Sequence, residues 1–202
     1  MSLIIHPTYF PNILFFSKIL NHKKILFEIN DNYIKQSLRN RTSIYHANGI
    51  LNLSIPVKYS SKKKQKFKDI EICNNTNWQL KHFKSIKFSY HSSPYFEFYE
   101  NIFEEIFTKK EKFLIDINLK SIQLLFELIE CKLEFNFTEK YNKTYNGYEN
   151  SREISNFNFS DKSLFFKKYT QVFEAKYGFK ENLSMLDLLF NYGPNYYNYL
   201  VK

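Results

Sequence analysis

"LIIHPTYFPNILFFSKILNHKKILFEI", residues 3–29, decides the fold class. It opens on a short apolar run, "LIIH", stopped at Pro7. A segment from about Asn12 to Lys23 then puts Ile13, Phe16, Ile19 and Leu20 on one helical face, and "ILFEI" follows as a compact buried strand. Strand, helix, strand predicts a parallel β-α-β start, because two parallel neighbours need a crossover and a helix is the usual one.

The next signal is Asn48-Gly49, lying between "TSIYH" and "ILNLSIPV". This dipeptide predicts a β-hairpin with a type I′ turn, which needs positive φ at both central positions. Leu51, Leu53, Ile55 and Val57 alternate with Asn52, Ser54 and Pro56, as a half-buried strand requires. "FKDIEI" is a further strand. The pattern then turns helical: Trp78 and His82 stand at i and i+4 on one face, Pro94 introduces another helix, and residues 111–130 carry a longer one. In "SSPYFEFYENIFEEIF" the spacing of Phe96, Tyr99, Phe103, Ile106 and Phe107 is that of a helix face packed on a core. Residues 142–158 are rich in turn formers and read as a loop excursion. In the tail, Ser184 and Asp187 fit a capping box, Gly193 a helix stop and Pro194 the first turn of a short helix. The expectation is therefore one mixed α/β domain over residues 1–202, with a β-α-β start, a central β-hairpin, and a helical C-terminal half packed on a small mixed sheet. Within it, residues 1–73 form a strand-rich part, 74–135 a helical part, 136–160 a loop excursion and 161–202 the C-terminal helices.

Composition narrows the function classes. The chain is 44% hydrophobic and 19% aromatic, which excludes a wholly disordered chain. A net charge of +9 favours an anionic partner. The joint excess of Lys, Asn, Ile, Phe and Tyr is what AT-rich coding produces, so lysine is the less informative cation. Arginine is scarce, with Arg39, Arg41 and Arg152 the only three, and its planar fork binds carboxylate or phosphate through two parallel hydrogen bonds. The lysine run at 62–64 reads as a solvated loop rather than a nucleic-acid patch, since no basic stripe with stacking aromatics extends from it. Nucleic acid is thus not the expected partner. Cys73 and Cys131 read as free buried thiols of a reducing compartment. The opening residues lack a basic lead and a signal-length apolar run, which predicts a cytoplasmic protein. No stretch approaches eighteen apolar residues, so no membrane span is expected. Oligomeric state leaves no mark on the sequence.

With glycines only at 49, 147, 178 and 193, the sequence has neither G-x-G-x-x-G nor a Walker loop. C-x-x-C, H-E-x-x-H and G-x-S-x-G are also absent, so no metal, cofactor or elbow serine is expected. His6 stands where the first strand ends, the edge at which open α/β sheets hold ligands. A core role is open for it too, as it is for His82. Arg39 and Arg41, two apart before a strand, leave the same face if the segment is extended, and can clamp a phosphate or carboxylate. Asn40, pointing the other way, fixes the loop. The alternative is an ion pair from these arginines to Asp31 or Glu28.

Four strings in order, "IIHPTYFPNILFFSKIL", "FEINDNYIKQSLRNRTSIYHANGILNLSIPVK", "KDIEICNNTNWQLKHFKSIKFSYHSSPYFEFY" and "NLSMLDLLFNYGP", resemble the WbqC-like family of bacterial surface-polysaccharide gene clusters. The opening departs from the family's more usual His-Gln-Pro-x-Tyr-x-Pro-Trp: His6 is followed directly by Pro7, and Asn12 replaces the Trp. Matches remain at Pro7, Tyr9, Asn40, Arg41, Trp78 and His82. The resemblance implies a cytoplasmic bacterial protein of sugar or O-antigen metabolism, with a glycine or aminoacyl transferase role proposed for the family. The resulting expectation is a transferase acting on a nucleotide-sugar or similar anionic sugar-linked substrate. In it Arg39 and Arg41 clamp the anion with Asn40 beside them, His6 or His82 acts as general base, and Tyr9 and Trp78 wall the sugar or base. The alternative is a non-catalytic binding or scaffolding protein of the same system.

Overall fold

The structure is a computed structural model that describes residues 1–60, 64–159, 161 and 164–200; most of the lysine run at 62–64 lies outside them. The opening β-α-β unit forms as β1 (Ser2–Ile5), α1 (Ile13–Leu20) and β2 (Lys24–Phe27), with β1 and β2 parallel from Ser2↔Lys24 to Ile5↔Phe27. Asn12 caps α1, its side-chain oxygen accepting from the Phe15 amide. The helix stops short of Lys23 because the Asn21 amide turns back onto the Ser17 and Ile19 carbonyls, freeing Lys24 to enter the sheet.

The hairpin is β3 (Arg41–His46) and β4 (Gly49–Ser54), in the register His46↔Gly49. Its loop residues are therefore Ala47 and Asn48, not Asn48 and Gly49. Gly49 alone of the pair has positive φ, +99°, so the type I′ turn is not formed, and the glycine is needed one position later, at the mouth of the ladder. A short antiparallel pair follows, β5 (Val57–Lys58) with β6 (Glu71–Ile72). The helices α2 (Trp78–Tyr90), α3 (Phe96–Thr108) and α4 (Leu114–Leu128) come next.

Two strands come from segments without a readable strand pattern. β7 (Phe135–Phe137) lies parallel to β2, and β8 (Tyr148–Asn150), inside the segment read as a loop excursion, lies parallel to β1. The main sheet is thus all parallel, in the order β7-β2-β1-β8, while the antiparallel strands form separate pairs. The chain ends in α5 (Glu174–Tyr177), α6 (Met185–Tyr192) and a 3-10 turn over Gly193–Tyr199. Ser184 caps α6 through the Leu186 amide, but the capping box is not made: the Ser184 amide donates to the Ser43 carbonyl, and Asp187 points into the core.

Aromatic rings fill the space between the helices. Phe96 and Phe103 of α3 each pack on Phe190 of α6 with centroids 5.0 Å apart, and Phe103 also meets Phe10. Each such buried ring contributes about 1.5–3 kcal/mol. Among the described residues no helix is long and apolar enough to cross a membrane.

The sheet topology fixes where chemistry can gather. From β1 the chain moves outward through β2 to β7, then returns to the other side of β1 as β8. Strand order reverses between β1 and β8, the point at which open α/β sheets generally hold ligands.

Candidate functional site

Polar side chains converge at the carboxyl ends of these strands. Glu28, just past β2, is fully buried, yet its Oε1 accepts from the amides of Asn30 and Asp31 and from the Thr138 hydroxyl. Its Oε2 accepts from the Tyr145 hydroxyl and lies 3.7 Å from Nη1 of Arg152. Arg152, just past β8, also donates to the carbonyls of Asn142 and Lys143, tying the long excursion to the sheet.

His6 follows β1 and is held from both sides. Its Nδ1 lies 3.1 Å from the Arg152 carbonyl and 3.0 Å from the Ser155 hydroxyl; its Nε2 lies 3.1 Å from both Asp31 Oδ2 and Arg39 Nη2. Two neutral tautomers satisfy this geometry. With the proton on Nδ1, His6 donates to Arg152 and accepts from Arg39; with it on Nε2, His6 donates to Asp31 and accepts from Ser155. Burial, reinforced by the Arg39 charge, pushes the imidazole down to about 4, so it is neutral near pH 7. Burial also lowers Arg39 to about 10, against the pull of Asp31. For Asp31, burial pushes upward, but hydrogen bonding and charge from His6 and the Arg39 cation outweigh it and hold the carboxyl below its ordinary range.

A second buried cluster joins Tyr9, Trp78 and His82. The Tyr9 hydroxyl, raised well above its ordinary range by burial, donates to His82 Nδ1 at 3.0 Å. The Trp78 ring stands edge-on to His82, with centroids 5.1 Å apart. The imidazole also bonds the main chain of Ser54, and burial pushes it down to about 4. Trp78 to His82 is one turn of α2, which is why the i, i+4 spacing brings both against Tyr9.

Between these clusters and α6 lies a cavity of about 90 Å³ lined by Thr8, Tyr9, Phe10, Arg41, Phe157 and Asn182, among others. The Arg41 guanidinium sits over the Phe157 ring at 5.6 Å and forms no ion pair with a carboxylate among the described residues; its buried Nε has no hydrogen-bond partner. Thr8, 2% exposed, also keeps an unpartnered hydroxyl. The wall is held in strained backbone: Phe10 has φ +36° and Asn182 φ +52°. Both polar backbone groups of Phe10 are pinned by side chains. Its amide donates to Ser121, and its carbonyl accepts from Thr42 and Ser184. An unpaired cation and an unpaired hydroxyl in a rigid recess can hold an oxyanion.

The two arginines do not share a face. A turn from Ser37 to Asn40 intervenes, and Arg39 takes the ion-pair alternative, 3.6 Å from Asp31, with its Nη1 donating to the Asn32 carbonyl. Arg41 alone reaches the cavity. Asn40 donates to the Ile55 carbonyl and so fastens the loop to the end of β4. Of the residues picked from the sequence, the cavity gathers Arg41 and Tyr9; His6 joins Arg39, and Trp78 joins His82, each in a buried cluster. Sequence reasoning missed Thr8, Ser155 and Arg152. Only Arg152 carried a usable signal, as the third arginine in a chain that otherwise spends lysine.

Among the described residues no group of three or more His, Cys, Asp or Glu could hold a metal ion. No curated protein and no solved structure gives a significant match to the chain. The model of the WbqC-like protein family matches residues 6–156, a span that runs from His6 through both buried clusters and Arg41 to Asn156 at the cavity rim, and the chain belongs to that family.

Proposed function

We propose that the protein is a group transferase of bacterial surface-polysaccharide (O-antigen) biosynthesis that binds a sugar-linked anionic substrate through Arg41. Family membership suggests a role in polysaccharide-related biosynthesis. The observation that carries the anionic part is the state of Arg41: it faces a recess beside an unpartnered Thr8 hydroxyl and lacks a carboxylate partner among the described residues, whereas Arg39 and Arg152 have theirs. Titrating the folded protein with nucleotide-sugars and sugar phosphates by calorimetry tests it. Arg41-dependent heat is expected; no heat with any of them overturns the reading.

A second reading, non-catalytic binding within the glycan assembly system, is favoured by one observation: His6 and His82 both have their ring nitrogens engaged inside the protein, and neither lines the Arg41 cavity. The assay that separates the two incubates a ligand found by calorimetry with candidate acceptors. Arg41-dependent transfer supports the enzyme, and tight binding without transfer supports the binding protein.

A further inference from the structure

Helix α1 begins at the Arg41 cavity: Pro11 and its cap, Asn12, both line the wall, as does Asn182. The first three amides of the helix are all taken. Ile13 donates to the Leu183 carbonyl at 3.1 Å, Leu14 to Oδ1 of Asn182 at 3.0 Å and Phe15 to Oδ1 of Asn12 at 3.0 Å. A backbone N–H can only donate, so each carboxamide must present its oxygen to the helix. Its NH2 group is thereby turned away from the helix, and neither Nδ2 has a hydrogen-bond partner among the described residues.

The aligned peptide dipoles of a helix sum to about half a positive charge at its N-terminus. Acidic side chains commonly neutralise such an end, but the first turn of α1 holds none. The two carboxamides carry that polarity outward, because an amide whose oxygen already accepts from an N–H is polarised into a stronger donor. The same wall holds a buried donor with nothing to bind. Thr8 is 2% exposed and its hydroxyl is unpartnered, whereas the hydroxyls of Thr42 and Ser184 are spent on the Phe10 carbonyl. Leaving a buried hydroxyl unpaired costs about 1–3 kcal/mol, which a bound acceptor recovers. The buried Nε of Arg41 stands in the same position.

The number of donors bears on the head group. A carboxylate offers two oxygens in one plane; a phosphoryl group offers three, splayed about phosphorus, and carries nearly two charges. Four side chains on three separate stretches of chain, 8–12, 41 and 182, suit the second. We infer that the cavity seats a phosphoryl group at the N-terminus of α1, with Asn12 and Asn182 donating to it alongside Arg41 and Thr8. This rests on the anionic-substrate reading above and names the anion.

Aspartate and serine variants separate binding from capping. Asn12→Asp and Asn182→Asp keep the oxygen that accepts from Phe15 or Leu14, and aspartate tolerates the φ of +52° at position 182, but a second oxygen replaces the NH2. Each should melt close to wild type without ligand and bind inorganic phosphate about a hundredfold more weakly. Asn12→Ser caps without adding charge and should lose about tenfold, the scale of one charge-assisted hydrogen bond. Calorimetry of the whole chain with inorganic phosphate, glucose 1-phosphate, UDP-glucose and glucuronate supplies the affinities. The better of glucose 1-phosphate and UDP-glucose is expected to bind at least about tenfold tighter than glucuronate, and tells whether the phosphoryl group comes from a sugar phosphate or a nucleotide-sugar. Glucuronate binding as tightly as either overturns the inference. So does a folded Asn12→Ser that binds inorganic phosphate as wild type does; if Arg41→Ala still abolishes the heat, the anionic reading stands. No heat from any of the four sinks both.

Discussion

Nη2 of Arg39 stands 3.1 Å from Nε2 of His6, and both side chains are almost wholly withdrawn from water. The pair packs at the reversal of strand order: Asp31, itself partly exposed, neutralises the guanidinium, and the Asn32 carbonyl takes Nη1. Replacing Arg39 with Met removes the cation, leaving the Asn32 carbonyl without its donor and the Asp31 carboxylate without its counter-charge, while His6 protonated on Nε2 still donates to Asp31. Loss of one partner of a buried pair is expected to cost about 3–5 kcal/mol, somewhat less here because Asp31 is partly exposed. Urea unfolding of the wild type and Arg39→Met measures it; a midpoint that barely moves would show the cluster to be slack.

Arg41 should behave in the opposite way. It lines a cavity and holds up no buried carboxylate among the described residues, so Arg41→Lys keeps the charge, loses the two-point geometry, and should leave the melting temperature nearly unchanged. Affinity for an anionic ligand should fall by about 1–3 kcal/mol, the scale of a charge-assisted hydrogen bond. Thermal melts with and without ligand separate the two effects. A variant that melts clearly lower alone, yet gains as much from ligand as the wild type, assigns Arg41 to the scaffold.

The buried histidines make stability depend on pH. His6 and His82 are both pushed from 6.5 down to about 4, chiefly by burial, so between these values the unfolded chain takes up protons that the folded chain refuses. Their contribution is therefore whole above about pH 6.5 and is lost as the pH falls towards 4. At pH 5 each withdraws on the order of 2 kcal/mol relative to pH 7. His82→Gln weakens the Tyr9 contact at every pH but should make the decline from pH 7 to pH 5 shallower by about that amount. A decline of unchanged slope in the variant would mean that His82 does not resist protonation.

How much of this was legible depended on whether a segment signalled its structure locally. The β-α-β start was readable because β1 and β2 are short apolar runs and the segment between them carries a helical apolar pattern, and Trp78 with His82 because a helix brings i and i+4 together. β7 and β8 were not, since three residues such as "FNF" or "YEN" show no period and are held only by parallel pairing to β2 and β1 across more than a hundred residues of chain. With β8 went Arg152 and Ser155, which reach His6 solely through that pairing. The same-face reading of Arg39 and Arg41 assumed extended backbone where the chain makes a turn, a choice imposed by Asp31 and by Asn118, whose amide donates to the Arg39 carbonyl. Ser184-x-x-Asp187 had the spacing of a capping box, but burial of Asp187 among three donors outcompeted its half of the box, and only the Ser184 cap is made.

That burial carries the last prediction. Asp187 is fully enclosed and accepts from the Tyr90 hydroxyl at 2.8 Å, the Tyr169 hydroxyl at 2.7 Å and the Gln171 amide at 2.9 Å. All three donors are neutral. Burial raises the carboxyl from 3.8 to about 6, and the hydrogen bonds only partly oppose it. The folded chain thus holds this proton more tightly than the unfolded chain, so the group's contribution is whole below about pH 4 and falls as the pH rises through 6, opposite in sign to the histidines. Near pH 7 the carboxylate depends on all three donors; near pH 5 the protonated form asks less of them and can donate in turn. Tyr169→Phe removes one donor with little change of shape and should cost about 1–3 kcal/mol at pH 7 and clearly less at pH 5. Urea unfolding of wild type and variant at the two pH values checks it, each pair compared at the same pH so that the histidine contribution cancels. A cost that is equal at both, or larger at pH 5, would show that Asp187 does not change charge in this range.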